Sequence, residues 1–234
     1  MKILAIDCSA KAVSVALSQD NKLIAESFLN IKLTHSETLM PMVNQVLDNA
    51  KLTLNDIDAF AVTAGPGSFT GVRIGISAIK GMAFGDQKPV YPFSTLMAMP
   101  LVLNNGFNGV VCGLMDARRN QFYNALFKME NGEIIRLTDD RLITADDLIS
   151  ELKEFNCPIL LMGDGAELFY TLSGEDSAFT LAPESVRLQR ASGIAVAAAS
   201  GKNSPDAVTP NELQTVYLRK SQAEREREEK LLNG

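Results

Sequence analysis

The feature that most constrains this chain is an order of elements that occurs twice. Residues 2–7 (KILAID), 12–18 (AVSVALS) and 23–30 (LIAESFLN) have the composition and alternation of strands, separated at Ala10-Lys11 and at Gln19-Asp20-Asn21. Breaks this short make antiparallel connections. A helix is predicted from Ser36 to Ala50, because Leu39, Val43, Val46, Leu47 and Ala50 fall on one stripe. Thr34 or Ser36 can cap its first turn, and Pro41 is tolerable only near its start. A strand at 59–65, a helix at 70–84, a strand at 89–94 and a short helix from Thr95 complete the unit. The second half runs through the same order: strands at 109–117, 121–129 and 133–143, a helix at 145–155, a strand at 157–165, and helical segments at 166–173 and 191–200. The repeat implies a duplicated α/β fold of two domains, each a mixed sheet flanked by helices, although little residue identity links the halves.

At 234 residues and 46% hydrophobic content the chain can bury a substantial core. The predicted division is 1–105, 106–212 and a C-terminal segment 213–234, with the boundary at Asn104-Asn105-Gly106 and a solvated, mixed-charge tail. No apolar run reaches the ~20 residues of a membrane span, so a cytoplasmic protein without membrane contact is expected. Cys8, Cys112 and Cys157 are far apart and form no CxxC, which predicts reduced, largely buried thiols and no zinc site. A net charge of -6 opposes unaided binding of nucleic acid.

Asp7 closing the first strand of such a repeat resembles the actin, sugar kinase and Hsp70 superfamily, a duplicated actin-like (ASKHA, ribonuclease H-like) fold whose halves close around a nucleotide. The resemblance singles out Asp7, Ser9, Asp116, Arg118, Gly163 and Gly165 as vestigial nucleotide-binding candidates. Each has a plainer alternative. Asp7 can cap local N–H groups at its strand end, and Asp116 with Arg118 can steady a hairpin turn.

The stretch TAGPGSFTGVRIGISAIKGMAFG, Thr63 to Gly85, is the densest motif. It is not a P-loop, which needs GxxxxGK[ST], and it lacks the third glycine of a dinucleotide fingerprint at the required place. There is no GxSxG for a serine nucleophile. Gly65-Pro66-Gly67-Ser68 punctuates a strand-to-helix turn, with Ser68 or Thr70 as cap. Gly71, Gly75, Ala78, Met82 and Gly85 then fall on one side of the helix, beside an apolar side of Val72, Ile76, Ile79 and Ala83. Interior glycine costs about 1 kcal/mol against alanine, so these need a compensating gain. Close approach of another backbone supplies it, preferably between subunits and otherwise within this one.

Taken together and in this order, IDCSAKAVSVAL, THSETLMPMV, the Gly-rich stretch, MDARRNQFYNALF and VYLRK are similar to the bacterial TsaB (formerly YeaZ) family over almost the whole chain. The resemblance implies a part in making threonylcarbamoyladenosine beside the tRNA anticodon, with no catalytic residues in this chain. It implies pairing with itself or with the catalytic paralogue TsaD, work alongside the ATPase TsaE, and tRNA contact only through the complex. Any weak ATP or ADP binding falls at the partner subunit, and no cofactor is expected. The docking helices, 36–50 and 70–84, place the expected interface at Leu39, Met42, Val43, Val46, Gly71, Val72, Gly75, Ile76, Ile79 and Met82. The paralogue's metal pair HxxxH has no counterpart here, since His35 is followed four positions on by Leu39, so no metal is expected. Two enzyme readings stay beside this one: a nucleotide-binding kinase of the superfamily, and a metallopeptidase.

Overall fold

A computed structural model describes residues 1–103 and 107–219, so the Asn104–Gly106 boundary and the tail beyond 219 lie outside the described residues. The first half opens with β1 (Lys2–Asp7), β2 (Val13–Gln19) and β3 (Lys22–Leu29), joined antiparallel. Asp20 and Asn21 both take positive φ in the β2–β3 connection, the conformation a tight hairpin demands. Then come α1 (His35–Ala50), β4 (Ala59–Gly65), α2 (Phe69–Ala83), β5 (Val90–Ser94) and α3 (Thr95–Ala98). β4 lies parallel to both β1 and β5, giving the sheet order β3-β2-β1-β4-β5.

The second half comprises β6 (Gly109–Asp116), β7 (Gln121–Glu130), β8 (Glu133–Arg136), β9 (Arg141–Thr144), α4 (Ala145–Leu152), β10 (Ile159–Met162), α5 (Ala166–Leu172), β11 (Phe179–Leu181) and α6 (Glu184–Arg187). Its sheet runs β11-β10-β6-β7-β8, with β9 also paired to β7. Counted from each half's own first strand the two orders agree, so the expected duplication is present. The single strand expected at 133–143 is two, because Leu137 and Thr138 leave the ladder and send their N–H groups to the Leu126 carbonyl. The β11 strand and α6 were not expected from the sequence pattern.

Each sheet is buried on both faces. In β1, Leu4 and Ile6 join Leu39, Val43, Val62, Val72 and Ile79 beneath α1 and α2, while Ile3 and Ala5 face the opposite way against the last helix, α7 (Ala191–Ser200). That helix packs on β1 and β2, so the chain returns to the first half at residue 191. In the other direction Leu96 and Met99, from α3 and the turn after it, pack with Val111, Ala125 and Phe127 of the second sheet. The two halves are thus tied by apolar contacts through α3. No helix among the described residues is long and apolar enough to cross a membrane.

Candidate functional site

Two concave regions meet at the start of α1 and α2. One is a cleft of about 880 Å³ between the halves, with Ser9 and Lys11 from the β1–β2 turn facing Asp116, Arg118 and Asp164 of the second half. The other is a groove of about 470 Å³ between the outward faces of α1 and α2, lined by Leu39, Met40, Phe69, Arg73, Ile74 and Ala78. His35, Ser36, Thr70 and Ile74 border both.

The α1 helix starts where Thr34 donates its N–H and hydroxyl to the Glu37 carboxylate, at 3.0 and 2.6 Å. The His35 Nε2–H donates to the Ala10 carbonyl at 2.7 Å and pins α1 to the β1–β2 turn. Among the described residues there is no cluster of three His, Cys, Asp or Glu side chains able to hold a metal. Pro41 sits in the second turn of α1, not at its start. It is exposed there, so the unpaired carbonyl it creates can be hydrated.

The Gly-rich stretch serves this subunit first. Ser68, not Thr70, caps α2 by accepting the Gly71 N–H, and the Ser68 N–H donates to the Ser9 carbonyl at 2.7 Å. A Cβ on Gly67 would overlap the Ser9 carbonyl oxygen, and one on Gly71 the Cys8 carbonyl oxygen. These glycines let α2 press against the end of β1. Gly75 likewise faces Cys8 and Ile6. Among the described residues nothing lies within 4 Å of a Cβ built on Gly81 or Gly85, and Gly85 falls beyond the helix.

Most residues of the expected interface lie inside the chain. Leu39, Met42, Val43, Val46, Val72, Ile76 and Ile79 are at most 6% exposed, and Gly71 and Gly75 are buried too; all belong to the chain's own interior, Leu39 reaching only the floor of the groove. Only Met82 keeps part of its surface. The strongest apolar stripe of an amphipathic helix goes to its own sheet. What the two helices present outward is Met40 and Phe84, 40% and 58% exposed, with the half-buried Phe69, Ile74 and Ala78 and the small Ser77 and Gly81.

The nucleotide candidates divide. Ser9, Asp116 and Arg118 line the cleft; Asp7, Gly163 and Gly165 do not. Asp7 is 1% exposed, and its Oδ1 accepts the Ser9 N–H and hydroxyl at 2.9 and 2.6 Å while Oδ2 is buried without a partner. Burial holds its carboxyl above the usual range, opposed by the Ser9 hydrogen bonds. Asp116 caps the Arg118 N–H at 2.7 Å, in a turn where Arg118, Arg119 and Asn120 all have positive φ. That is the turn-steadying arrangement, with the Arg118 side chain 82% exposed. Gly163 admits the Leu114 carbonyl and Gly165 the Asp116 amide, so both close a corner of the backbone. Asp164 between them, missed in the sequence, is pushed up to about 6 by burial. Of the thiols, Cys8 and Cys112 are buried as expected, but Cys157 is exposed.

The sheets, their order and the cleft between them define a duplicated actin-like α/β fold. A family model described as TsaD, tRNA N6-adenosine threonylcarbamoyltransferase, matches residues 22–225. The tRNA threonylcarbamoyladenosine biosynthesis protein TsaB of Escherichia coli (strain K12) is 31% identical over 226 residues, 95% of this chain and 96% of that protein. Its counterpart in Bacillus subtilis (strain 168) is 34% identical over 170 residues, 72% and 73% of the respective chains. Crystallographic YeaZ from Pseudomonas aeruginosa superposes with a TM-score of 0.75 at 27% identity, covering 93% of this chain and 99% of that one. The chain belongs to the TsaB family.

Proposed function

We propose that this chain acts in tRNA threonylcarbamoyladenosine biosynthesis as a non-catalytic docking subunit. It pairs through the outward face of α1 and α2, with a second copy of itself or with the catalytic threonylcarbamoyltransferase paralogue TsaD, and the ATPase TsaE completes the set. The tRNA is reached through that complex.

The observation that carries this reading is the apolar groove on two adjacent long helices, with Met40 exposed in its lining and Phe84 exposed at the C-terminal end of α2. Charge supports it. The exposed acids of α1, Glu37 and Asp48, have their complement in Arg73 and Lys80 on α2, so α1 of one subunit suits α2 of a like subunit. Docking contributes differential binding energy that favours the partner's active arrangement, not chemical groups. The kinase alternative rests on Asp7, whose buried carboxyl is turned away from the cleft lining; ATP hydrolysis lost in Asp7→Ala would revive it.

The test is sedimentation velocity on this chain, on the threonylcarbamoyltransferase of the same organism, and on their mixture. Ala78→Glu places a charge in the groove at a half-buried position on the edge of the core, and it is expected to abolish pairing and reconstituted tRNA modification while the circular dichroism spectrum holds. Pairing that survives Ala78→Glu would sink the proposal. Gly75→Glu or Ile76→Glu would be uninformative, since both positions are buried.

A further inference from the structure

We infer that residues 213–219 form a positioning strap for the docking face and that Tyr217 is its working side chain. The inference rests on the docking function proposed above. The strap is fixed at both ends. Leu213 is 1% exposed in the core beneath α1 and α2, and the Val216 N–H donates to the Ala64 carbonyl at 2.7 Å. Any side chain at Gly65 would overlap the Val216 carbonyl, so the segment is pressed onto the backbone where β4 ends. At the far end the Arg219 guanidinium donates to the Ala117 carbonyl at 3.0 Å, in the β6–β7 turn of the second half.

Between these anchors Tyr217 stacks on Phe69, with ring centroids 4.5 Å apart and planes 24° from parallel. Its hydroxyl accepts from Arg73 Nε at 2.8 Å, and the same guanidinium lies 3.9 Å over the Phe69 ring. Phe69 and Arg73 are the two largest side chains that the first turns of α2 contribute to the groove. Tyr217 therefore holds the rotamers of an aromatic and an arginine, the side-chain types that most often dominate binding energy. A partner that meets them already fixed loses less freedom on docking. Because the strap also grips the second half, it links the docking face to the spacing of the two halves. Tyr217 acts through Phe69 and Arg73, so it is a positioning residue.

Pairing affinity, with a second copy and with the threonylcarbamoyltransferase, would be measured by sedimentation for a set of variants, each checked for fold by circular dichroism. Tyr217→Ala is expected to weaken pairing roughly tenfold through lost preorganisation, and Tyr217→Phe, which keeps the stack but not the Arg73 hydrogen bond, about threefold. In a chain already carrying Phe69→Ala and Arg73→Ala, Tyr217→Ala should have no further effect. Wild-type affinity in both Tyr217 variants, or an equal loss in the background lacking Phe69 and Arg73, would overturn the strap. If Tyr217→Ala does not fold, Tyr217→Phe alone decides between those outcomes. The Ala78→Glu control separates the two claims: pairing that survives it overturns docking and strap together, whereas pairing lost in Ala78→Glu and untouched by Tyr217 variants overturns the strap only.

Discussion

The two halves share one strand order and differ in what their helices are for. In the first, α1 and α2 run to 16 and 15 residues and leave an apolar groove uncovered. In the second, the corresponding α4 and α5 are 8 and 7 residues, about half the length, and cover their own sheet with Leu148, Leu152 and Phe169. The corners after β4 and β10 solve one problem in the same way. Gly67 and Gly71 admit the carbonyls at the end of β1, as Gly163 and Gly165 admit Leu114 and Asp116 at the end of β6. Corner glycines thus belong to the fold, and only what the longer helices add beyond the corners is left for the proposed docking.

The sharpest way to break that equivalence is a methyl group at each corner. Gly71→Ala sets Cβ against the Cys8 carbonyl, a buried backbone atom just past the end of β1, so α2 must shift; a loss of about 3 kcal/mol is expected, or about 6–12 °C in the melting temperature. Gly165→Ala meets its neighbours at 3.0 Å, among them the edge of the Phe122 ring, and should cost about half as much. Equal melting temperatures for wild type and Gly71→Ala would show that the corner glycines are not required by packing.

Acidic groups draw a second contrast. Asp116 is part-exposed and partnered by Arg118, whereas Asp164 has a buried, unpartnered Oδ1. Burial raises Asp164 to about 6, the neighbouring Asp116 adds to the rise, and Gln189 and Lys11 oppose it. A folded pKa above the unfolded one favours the protonated protein, so this contribution is whole below about 4 and is lost as pH climbs through about 6. Asp164→Asn should therefore gain on the wild type across that window, by about 3 kcal/mol at pH 7, read as melting temperature against pH. Parallel profiles would mean that Asp164 is solvated in the cleft.

Much of this was legible in the sequence, because alternation and the 3.6-residue period are local. From them came β1 to β7, both long helices and the duplication. The docking face was not legible for the same reason. Periodicity marks the most apolar stripe, Leu39-Val43-Val46 and Val72-Ile76-Ile79, and the chain's own sheet takes that stripe. The outward face is left to Ala78, from the glycine-bearing side of α2, and to the mixed residues Met40, Ile74 and Phe84, which no periodic rule picks out. Gly71 answers to the carbonyl of Cys8 and Tyr217 to the ring of Phe69, contacts between distant parts of the chain. The one available signal for the strap was an aromatic residue and an arginine, in VYLRK, just ahead of an otherwise charged tail.

Gly81 gives the smallest effect and the cleanest division between fold and docking. It is exposed within α2, and among the described residues a Cβ there would meet nothing within 4 Å. A glycine in mid-helix costs about 1 kcal/mol relative to alanine, so Gly81→Ala should stabilise the isolated chain by up to that amount, about 2–4 °C. If the glycine is there to let a partner's backbone approach, the same methyl group should weaken pairing about threefold to tenfold. The two signs must be opposite. Stabilisation with unchanged pairing would place Gly81 outside the interface and move the contact toward Met40 and Phe69, whereas destabilisation of the isolated chain would mean that α2 is held in a way its glycines do not reveal.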